Sequence, residues 1–264
     1  MKILSGKTVA DSIYDYLNSE PDFQNLHPHL AIVTDHLDPA SEIYIRQKVR
    51  AAERCGIEVS IHTVTSDLNY LDTIQKLAID NGIHGIIVQQ PCKYAPFELV
   101  KVTIPCSKDV DGFCANSIFN PCTPQGIIML LYNHDIEIEN KHCVILGRSE
   151  IVGRPLARML LDRNATVSVC HSRTPVEVRD NLLSNADIVF CCTGVANLLR
   201  PDMVRDDAVI IDVGITRDEN NKLCGDAGHV EDWAATNVMI TPVPGGIGPM
   251  TVASLMLNVY EAAK

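Results

Sequence analysis

Short apolar runs alternate along this chain with longer stretches in which apolar residues recur every three or four positions. His29–Thr34, Glu58–Val64 and Gly85–Val88 are continuous runs of strand-forming residues, and Ser41–Cys55 and Asn69–Asn81 between them carry helical periodicity. Strands this uniformly apolar belong to parallel sheets covered by helices on both faces, joined by right-handed crossovers. The second half repeats the alternation, with strands over Cys143–Leu146, Thr166–Cys170, Asp187–Phe190, Ala208–Val213 and Val238–Ile240. Helices are predicted over Val152–Arg163 and from Pro175 onward. The pattern predicts an α/β protein built from two α/β domains.

Pro121-Cys122-Thr123-Pro124 separates the two alternations. Thr123 is suited to cap a helix and Pro124 to its first position, which makes a hinge. The predicted domains are 1–120 and 121–248. Gly248 and Pro249 open a last helix, 249–264, whose Val252, Leu255, Met256 and Val259 share one face; it is expected to pack back on the first domain. A length of 264 residues fits this division.

Composition narrows the partners. Apolar residues make up 46% and charged ones 21%, an ordinary globular balance, and no apolar run reaches the length of a membrane span. The net charge of −11 disfavours nucleic acid and anionic membranes, so an anionic ligand must meet locally placed cations. The ten cysteines contain no C-x-x-C pair and the nine histidines no H-x-x-x-H pair, so no metal site is expected. Cys191 and Cys192 fall on a buried strand, and Met1–Gly6 lacks a signal-peptide core. Reduced packing thiols in a cytoplasmic protein are the expectation.

Residues 144–155, V-I-L-G-R-S-E-I-V-G-R-P, form a strand, a glycine turn and a helix start, which aims backbone N–H groups and a helix dipole at a phosphate. The spacing departs from G-x-G-x-x-G: Ser149 stands where the second glycine would, and Gly153 comes one residue late. The bland alternative is an ordinary tight turn between strand and helix. The next strand runs into Cys170-His171-Ser172-Arg173, without the carboxylate that binds the ribose 2′-hydroxyl of NAD. Arg148, Ser172 and Arg173 suit a 2′-phosphate instead, so NADP is expected in a Rossmann-like second domain; the alternative is a solvated arginine pair.

In the first domain Tyr44 and Lys48 stand one helical turn apart. Alone, such a pair is usually surface decoration. Gln89 follows a strand at the carboxyl edge, where open α/β sheets bind ligands, and Asp111 lies in K-D-V-D-G-F. A lysine, an amide, a phenol and a carboxylate are thus expected to line one cleft. The run T-P-V-P-G-G-I-G-P-M-T, 241–251, is dense in Gly and Pro and a candidate for a cis X-Pro bond.

In order, the segments D-P-A-S-E-I-Y-I-R-Q-K, G-I-I-V-Q-Q-P, K-D-V-D-G-F, P-C-T-P-Q-G, G-R-S-E-I-V-G-R-P, C-H-S-R-T, I-D-V-G-I, G-D-A and T-P-V-P-G-G-I-G-P-M-T run nearly end to end. Together they resemble the bifunctional methylenetetrahydrofolate dehydrogenase/cyclohydrolase family, FolD. The resemblance implies two α/β domains, usually in a homodimer, with a tetrahydrofolate derivative and NADP meeting in the cleft between them. It implies that Lys48 is the general acid/base, that Tyr44 stacks on or positions the pterin, that Gln89 assists Lys48 and that Asp111 hydrogen-bonds the pterin. Gly147, Arg148, Ser149, Ser172 and Ile215 would contact the cofactor, joined by Arg173 at the 2′-phosphate. The implied reaction is oxidation of 5,10-methylenetetrahydrofolate to the 5,10-methenyl cation, then hydrolysis to 10-formyltetrahydrofolate. Hydride transfer needs mainly alignment, whereas hydrolysis needs proton transfers that a lysine can perform when burial or a nearby cation lowers its pKa.

The chain departs from the family pattern in places. The usual Q-L-P-L-P is Gln89-Gln90-Pro91-Cys92-Lys93, the connection between Phe113 and Pro121 is shorter, and the proline before K-D-V-D-G lies one position early at Pro105. These changes affect the folate pocket and leave the acid/base set in place. Two other readings compete: a dehydrogenase with weak cyclohydrolase activity, and an inactive folate- or nucleotide-binding paralogue. Retention of Lys48 argues against the first, and retention of both Lys48 and Asp111 against the second.

Overall fold

The structure is a computed structural model; it describes every residue except Asp22 and Leu37, and all side chains but those two and Phe23, Gln24, Pro39 and Ala40. In chain order the elements are β1 (Lys2–Ile3), α1 (Gly6–Ser19), α2 (Phe23–Leu26), β2 (His29–Thr34), α3 (Pro39–Cys55), β3 (Glu58–Thr63), α4 (Asp67–Ile79), β4 (Gly85–Val88) and α5 (Phe97–Thr103). There follow α6 (Cys122–Asn133), β5 (His142–Leu146), α7 (Gly153–Leu161), β6 (Thr166–Cys170), α8 (Val176–Ser184), β7 (Ile188–Cys191), β8 (Val209–Asp212), β9 (Thr216–Arg217), β10 (Leu223–Cys224), β11 (Met239–Ile240) and α9 (Ile247–Ala263). The chain groups into two compact units, Asp11–Cys122 with Val252–Lys264, and Met1–Ala10 with Thr123–Thr251.

The first unit holds a parallel sheet in the order β3-β2-β4. Its central strand is fully buried from Leu30 to Val33, whereas the edge strand β3 leaves Glu58, Ile61 and Thr63 exposed. Continuous burial of β2 matches its uninterrupted apolar run, as expected for a strand covered on both faces. Ser66 caps α4 by accepting from the Asn69 N–H at 3.1 Å, and Tyr70, Ile74 and Leu77 turn one face of that helix into the core with Ala31, Val33, Ile86 and Val88. The last thirteen residues belong to this unit. Asn258 of α9 donates to the carbonyls of Val110 at 2.8 Å and Asn120 at 3.2 Å, satisfying loop oxygens that the sheet leaves unpaired.

The second unit holds an all-parallel six-stranded sheet, β1-β11-β8-β7-β5-β6. Strands β7 and β8 are buried along their whole length. Beneath the sheet lies a core of Val144, Leu146, Leu183, Val189, Leu199, Ile210 and Trp233, and the Trp233 indole N–H donates to the Ala227 carbonyl at 2.9 Å, so no polar atom of that ring is stranded. A two-residue antiparallel hairpin, β9–β10, stands apart from the sheet.

The α/β class and the parallel sheets agree with the sequence reading; several details differ. Lys2 and Ile3 pair with Met239 and Ile240, so Met1–Ala10 joins the second unit, although the domain drawn as 1–120 includes it. A two-residue strand is too short to carry any period. Helix α3 begins at Pro39, two residues before the Ser41 at which the helical pattern starts, and Asp38 accepts from the Ser41 N–H at 3.2 Å and hydroxyl at 3.0 Å. Thr123 is likewise inside α6, which begins at Cys122, and its hydroxyl pairs with that of Thr251 at 3.0 Å. Cys192 falls one residue past β7 and is only partly buried. The helix α9 starts two residues before Pro249 and is buried nearly all round, beyond the single stripe expected. The Val243–Pro244 bond is cis, inside the run where such a bond was expected, and so is Gln90–Pro91.

Trp233 is the only tryptophan, so its fluorescence reports the second unit alone. Leu183→Ala, which empties a fully buried site in the cluster containing Trp233, is expected to cost about 2–5 kcal/mol in urea unfolding followed by that fluorescence. An unchanged midpoint would contradict the packing described.

Candidate active site and dinucleotide turn

In the first unit the chain goes from β2 to β3 on one side and then to β4 on the other, so β2 is a switch point with a crevice outside its carboxyl end. Gln89 directly follows β4 at that edge. It is 8% exposed, and its N–H donates to the Val33 carbonyl at 2.9 Å. Its side-chain amide donates to the Gln90 carbonyl at 2.9 Å, which leaves the amide oxygen pointing the other way. That oxygen accepts from Lys48 Nζ at 3.1 Å. Lys48 lies in the third turn of α3, and Tyr44, one turn earlier, is 42% exposed and presents its ring to solvent. The Ser41 hydroxyl also reaches toward the Gln90 carbonyl, at 3.4 Å.

Asp111 completes this group. Burial raises its carboxyl above the ordinary carboxylate range; the Lys48 charge opposes that shift and the nearby Asp109 adds to it. The Lys48 charge thus reaches Asp111, and the structure brings Lys48, Gln89 and Asp111 together. Tyr44 shares the face of Lys48 without a bond to Gln89 or Asp111.

Sequence reasoning overlooked the groups behind Asp111. Asp109 is fully buried, and its Oδ2 accepts from the Cys114 N–H at 2.8 Å. The Cys122 thiol donates to the Val110 carbonyl at 3.2 Å; burial first, then the Asp111 charge, pushes it well above the usual thiol range. The signal for Asp109 was present: two residues apart in K-D-V-D-G, the two carboxylates share a locality. Nothing in a single sequence marked Cys122 as their neighbour. The shortened 113–121 connection closes tightly, since Gly112 adopts φ +74° with its Cα against the Asn120 carbonyl, where a Cβ would come within 2.7 Å of that oxygen. The Ser117 hydroxyl donates to the Asp109 carbonyl at 3.1 Å, and Phe113 meets Phe97 edge to face at 5.2 Å.

The second unit has its own switch point at β5, flanked by β6 and β7. Gly147 follows β5 with φ +115°, and a Cβ there would lie 2.5 Å from the Cys192 carbonyl oxygen. Gly153 opens α7, and a Cβ there would lie 2.4 Å from the Gly147 carbonyl oxygen. Both glycines are required for helix, turn and neighbouring strand to approach this closely. The Ser149 hydroxyl accepts from the Val152 and Gly153 N–H groups at 3.1 and 3.3 Å, so the side chain standing at the second glycine position ties down the start of the helix. Arg148 is exposed beside it. Ser172 and Arg173 are exposed in the turn after β6, where the Arg173 N–H donates to His171 Nδ1 at 3.2 Å. Ile215, 46% exposed, follows β8 by three residues. All six predicted cofactor residues therefore follow strands β5, β6 and β8 at the carboxyl edge, and the glycine cradle with no carboxylate at the end of β6 fits a 2′-phosphorylated dinucleotide.

Among the described residues no group of three or more His, Cys, Asp or Glu side chains is arranged to hold a metal ion, and no helix is long and apolar enough to cross a membrane.

Comparison with known proteins agrees with both halves. Residues 4–111 match the tetrahydrofolate dehydrogenase/cyclohydrolase catalytic domain, and residues 121–264 match the NAD(P)-binding domain of the same family. The bifunctional protein FolD of Methanoculleus marisnigri is 42% identical over 99% of this chain and 96% of its own length, and that of Magnetococcus marinus 40% identical over 99% and 97%. The crystal structure of the Campylobacter jejuni bifunctional FolD methylenetetrahydrofolate dehydrogenase/cyclohydrolase superposes with a TM-score of 0.93 at 37% identity, covering 100% of this chain and 98% of that one. The Trypanosoma brucei FolD, solved with NADP and an inhibitor, gives a TM-score of 0.89 at 28% identity over 99% and 96%. This chain belongs to the tetrahydrofolate dehydrogenase/cyclohydrolase family.

Proposed function

We propose that the protein oxidises 5,10-methylenetetrahydrofolate with NADP and hydrolyses the resulting 5,10-methenyl cation to 10-formyltetrahydrofolate. The observation that carries this reading is the Lys48–Gln89 hydrogen bond of 3.1 Å with the Asp111 carboxyl beside it. When bound, NADP supplies the hydride acceptor, and the protein need only hold donor and acceptor carbons in line. Hydrolysis requires more of the chain. Water adds to the methenyl carbon and loses one proton; the new hydroxyl then gives up its own as the carbonyl forms and the bond from that carbon to N5 breaks, with N5 gaining one; the sum is one water consumed and one proton released.

Lys48 is the group suited to move those protons, because the Gln89 oxygen holds its ammonium in one direction at the crevice. Asp111 is suited to accept hydrogen bonds from the pterin ring, and the exposed ring of Tyr44 to stack on it. A lysine held in this way has little use in hydride transfer alone, which favours the bifunctional reading over a dehydrogenase with weak cyclohydrolase activity. The Gly147 turn, with Ser149 fastening the helix behind it, is assigned to the pyrophosphate. Arg148, Ser172 and Arg173 are assigned to the 2′-phosphate, and Ile215 to a contact with the cofactor. The first domain, with the last helix against it, is read as folate-binding and the second as NADP-binding. The ten cysteines are free thiols, which supports a cytoplasmic home. The homodimer rests on the family resemblance and is checked by light scattering.

A steady-state assay with 5,10-methylenetetrahydrofolate should show NADP reduction with little accumulation of the methenyl intermediate. Lys48→Ala is expected to lower hydrolysis of supplied methenyltetrahydrofolate by about 10²–10⁴-fold and hydride transfer much less. Equal retention of both activities would remove Lys48 from its role. Arg148→Ala should raise the KM for NADP about 10–100-fold while leaving that for NAD within a factor of three, as expected for losing a charge-assisted phosphate contact. An unchanged NADP/NAD ratio would exclude Arg148 from the 2′-phosphate site.

The Asp111 shift sets a pH dependence. A carboxyl raised above its ordinary value takes up its proton at a higher pH as the medium is acidified, so kcat/KM for the folate should fall on the acid side earlier than an ordinary carboxylate would cause. The residual activity of Asp111→Asn should lack that limb; an identical acid limb in the variant would assign it to another group.

A further inference from the structure

Two carboxyl groups are buried together at the carboxyl edge of the six-stranded sheet. Asp212, the last residue of β8, is 2% exposed, and Asp226, two residues past β10, is 0% exposed. Asp212 Oδ1 accepts from the N–H groups of Gly214 and Asp226, both at 3.0 Å, and its Oδ2 accepts from the Ala227 N–H at 2.7 Å. Asp226 Oδ2 accepts from the Thr193 N–H at 2.6 Å and hydroxyl at 2.7 Å, while its Oδ1 is buried with no hydrogen-bond partner. Glycines fence both groups in: a Cβ at Gly214 would lie 1.9 Å from Asp226 Oδ1, and one at Gly225 would lie 2.0 Å from Asp212 Oδ2.

Burying one carboxylate costs several kcal/mol, and two side by side also repel, so an arrangement like this needs a return elsewhere. The hydrogen bonds show where the return lies. Thr193, held by Asp226, follows Cys192, whose carbonyl oxygen abuts the Cα of Gly147 in the dinucleotide turn. Gly214, held by Asp212, precedes Ile215. Around the pair, the thiols of Cys191, Cys192 and Cys224 are all pushed up by burial and by these carboxylates, and so remain neutral near pH 7. Thr241 contributes a hydroxyl that accepts from the Asp212 N–H at 2.8 Å.

We propose that Asp212 and Asp226 are positioning residues for the nicotinamide dinucleotide, acting through Thr193 and Gly214 to hold the loops after β7 and β8 against the Gly147 turn. This rests on the cofactor site assigned above. Burial, with the Asp226 charge adding to it, pushes the Asp212 carboxyl up to about 7 against the pull of three N–H bonds. A proton therefore relieves the repulsion at mildly acidic pH and is absent at alkaline pH, when the loops are held less firmly.

The test is NADP affinity of the purified full chain without folate, by calorimetry from pH 6 to 8.5, for the wild type, Asp226→Asn, Asp226→Ala and Thr193→Val. The wild type should lose about tenfold in affinity across that range, a loss of the size that repulsion within the pair implies. Asp226→Asn keeps an oxygen for Thr193 and removes the charge facing Asp212, so its affinity should track the wild type at pH 6 and stay higher at pH 8.5. Titration of the ligand's own phosphate is common to both proteins and cancels in the comparison. Asp226→Ala should bind at least about tenfold more weakly at every pH and raise the KM for NADP without moving that for the folate, and Thr193→Val should fall between. Should Asp226→Ala fail to fold, the Asn and Val variants decide. Identical pH curves for the wild type and Asp226→Asn, or wild-type affinity in Thr193→Val, would overturn the proposal. Absence of NADP binding by the wild type would instead overturn the cofactor assignment on which it rests.

Discussion

A parallel sheet buried on both faces has nowhere to present polar chemistry except its ends, and only one end is opened by the chain path. In the first unit the chain leaves β2 for β3 on one side and returns to β4 on the other; in the second it leaves β5 for β6 and returns to β7. Each reversal pulls successive helices apart above the carboxyl end of the central strand and leaves a crevice there. Gln89 lies at the first crevice and Gly147 at the second, with Lys48 brought in from the helix after β2 and Ser149 from the turn before α7. Both candidate sites are thus consequences of one topological constraint applied twice, which is why residues scattered from 44 to 215 sort into two compact sets.

What the sequence revealed follows from the same constraint. Buried central strands such as His29–Thr34 and Gly85–Val88 must be uninterrupted in Val, Ile and Leu, so their bounds could be read directly and agree with β2 and β4. Elements that depend on distant partners carried no such mark. Lys2–Ile3 is a strand only because Met239–Ile240 lies beside it. Helix α1 was also passed over, although Val9, Ile13, Tyr14 and Leu17 are buried at helical spacing; the period was there to be seen. Lys48 and Gln89 could be named from motif and position, but the hydrogen bond joining residues 41 apart could not. Asp212 and Asp226 each appeared in a motif, and their burial against one another became visible only when β8 and the 224–228 turn were folded together.

The departures from the family pattern fall where the fold can absorb them. Gln90 replaces an apolar residue, and its side-chain amide donates to the Ala95 carbonyl at 3.0 Å, bracing the turn that carries the cis Pro91. The Lys93 N–H donates to Asp35 at 2.6 Å, which fastens the same turn to the end of β2. The shortened connection between Phe113 and Pro121 is held by Ser117, by Gly112 against Asn120, and by Asn258 from α9. Each departure therefore sits on local hydrogen bonds to the neighbouring chain, and the Gln89 N–H stays on the Val33 carbonyl.

The two units meet the cost of buried charge differently. Around Lys48 the compensation is by opposite charge and an amide oxygen, and Asp111 stays within reach of that cation. Around Asp212 the compensation is by backbone N–H groups, which cannot move without moving the loops that contain them. A side-chain partner can exchange its proton or turn toward a ligand, whereas a backbone partner can only be held. The first arrangement suits a group that must change its protonation during a reaction. The second suits a frame that must stay fixed while a cofactor comes and goes, and the unpartnered Asp226 Oδ1 marks how far that frame departs from the cheapest way of burying two acids.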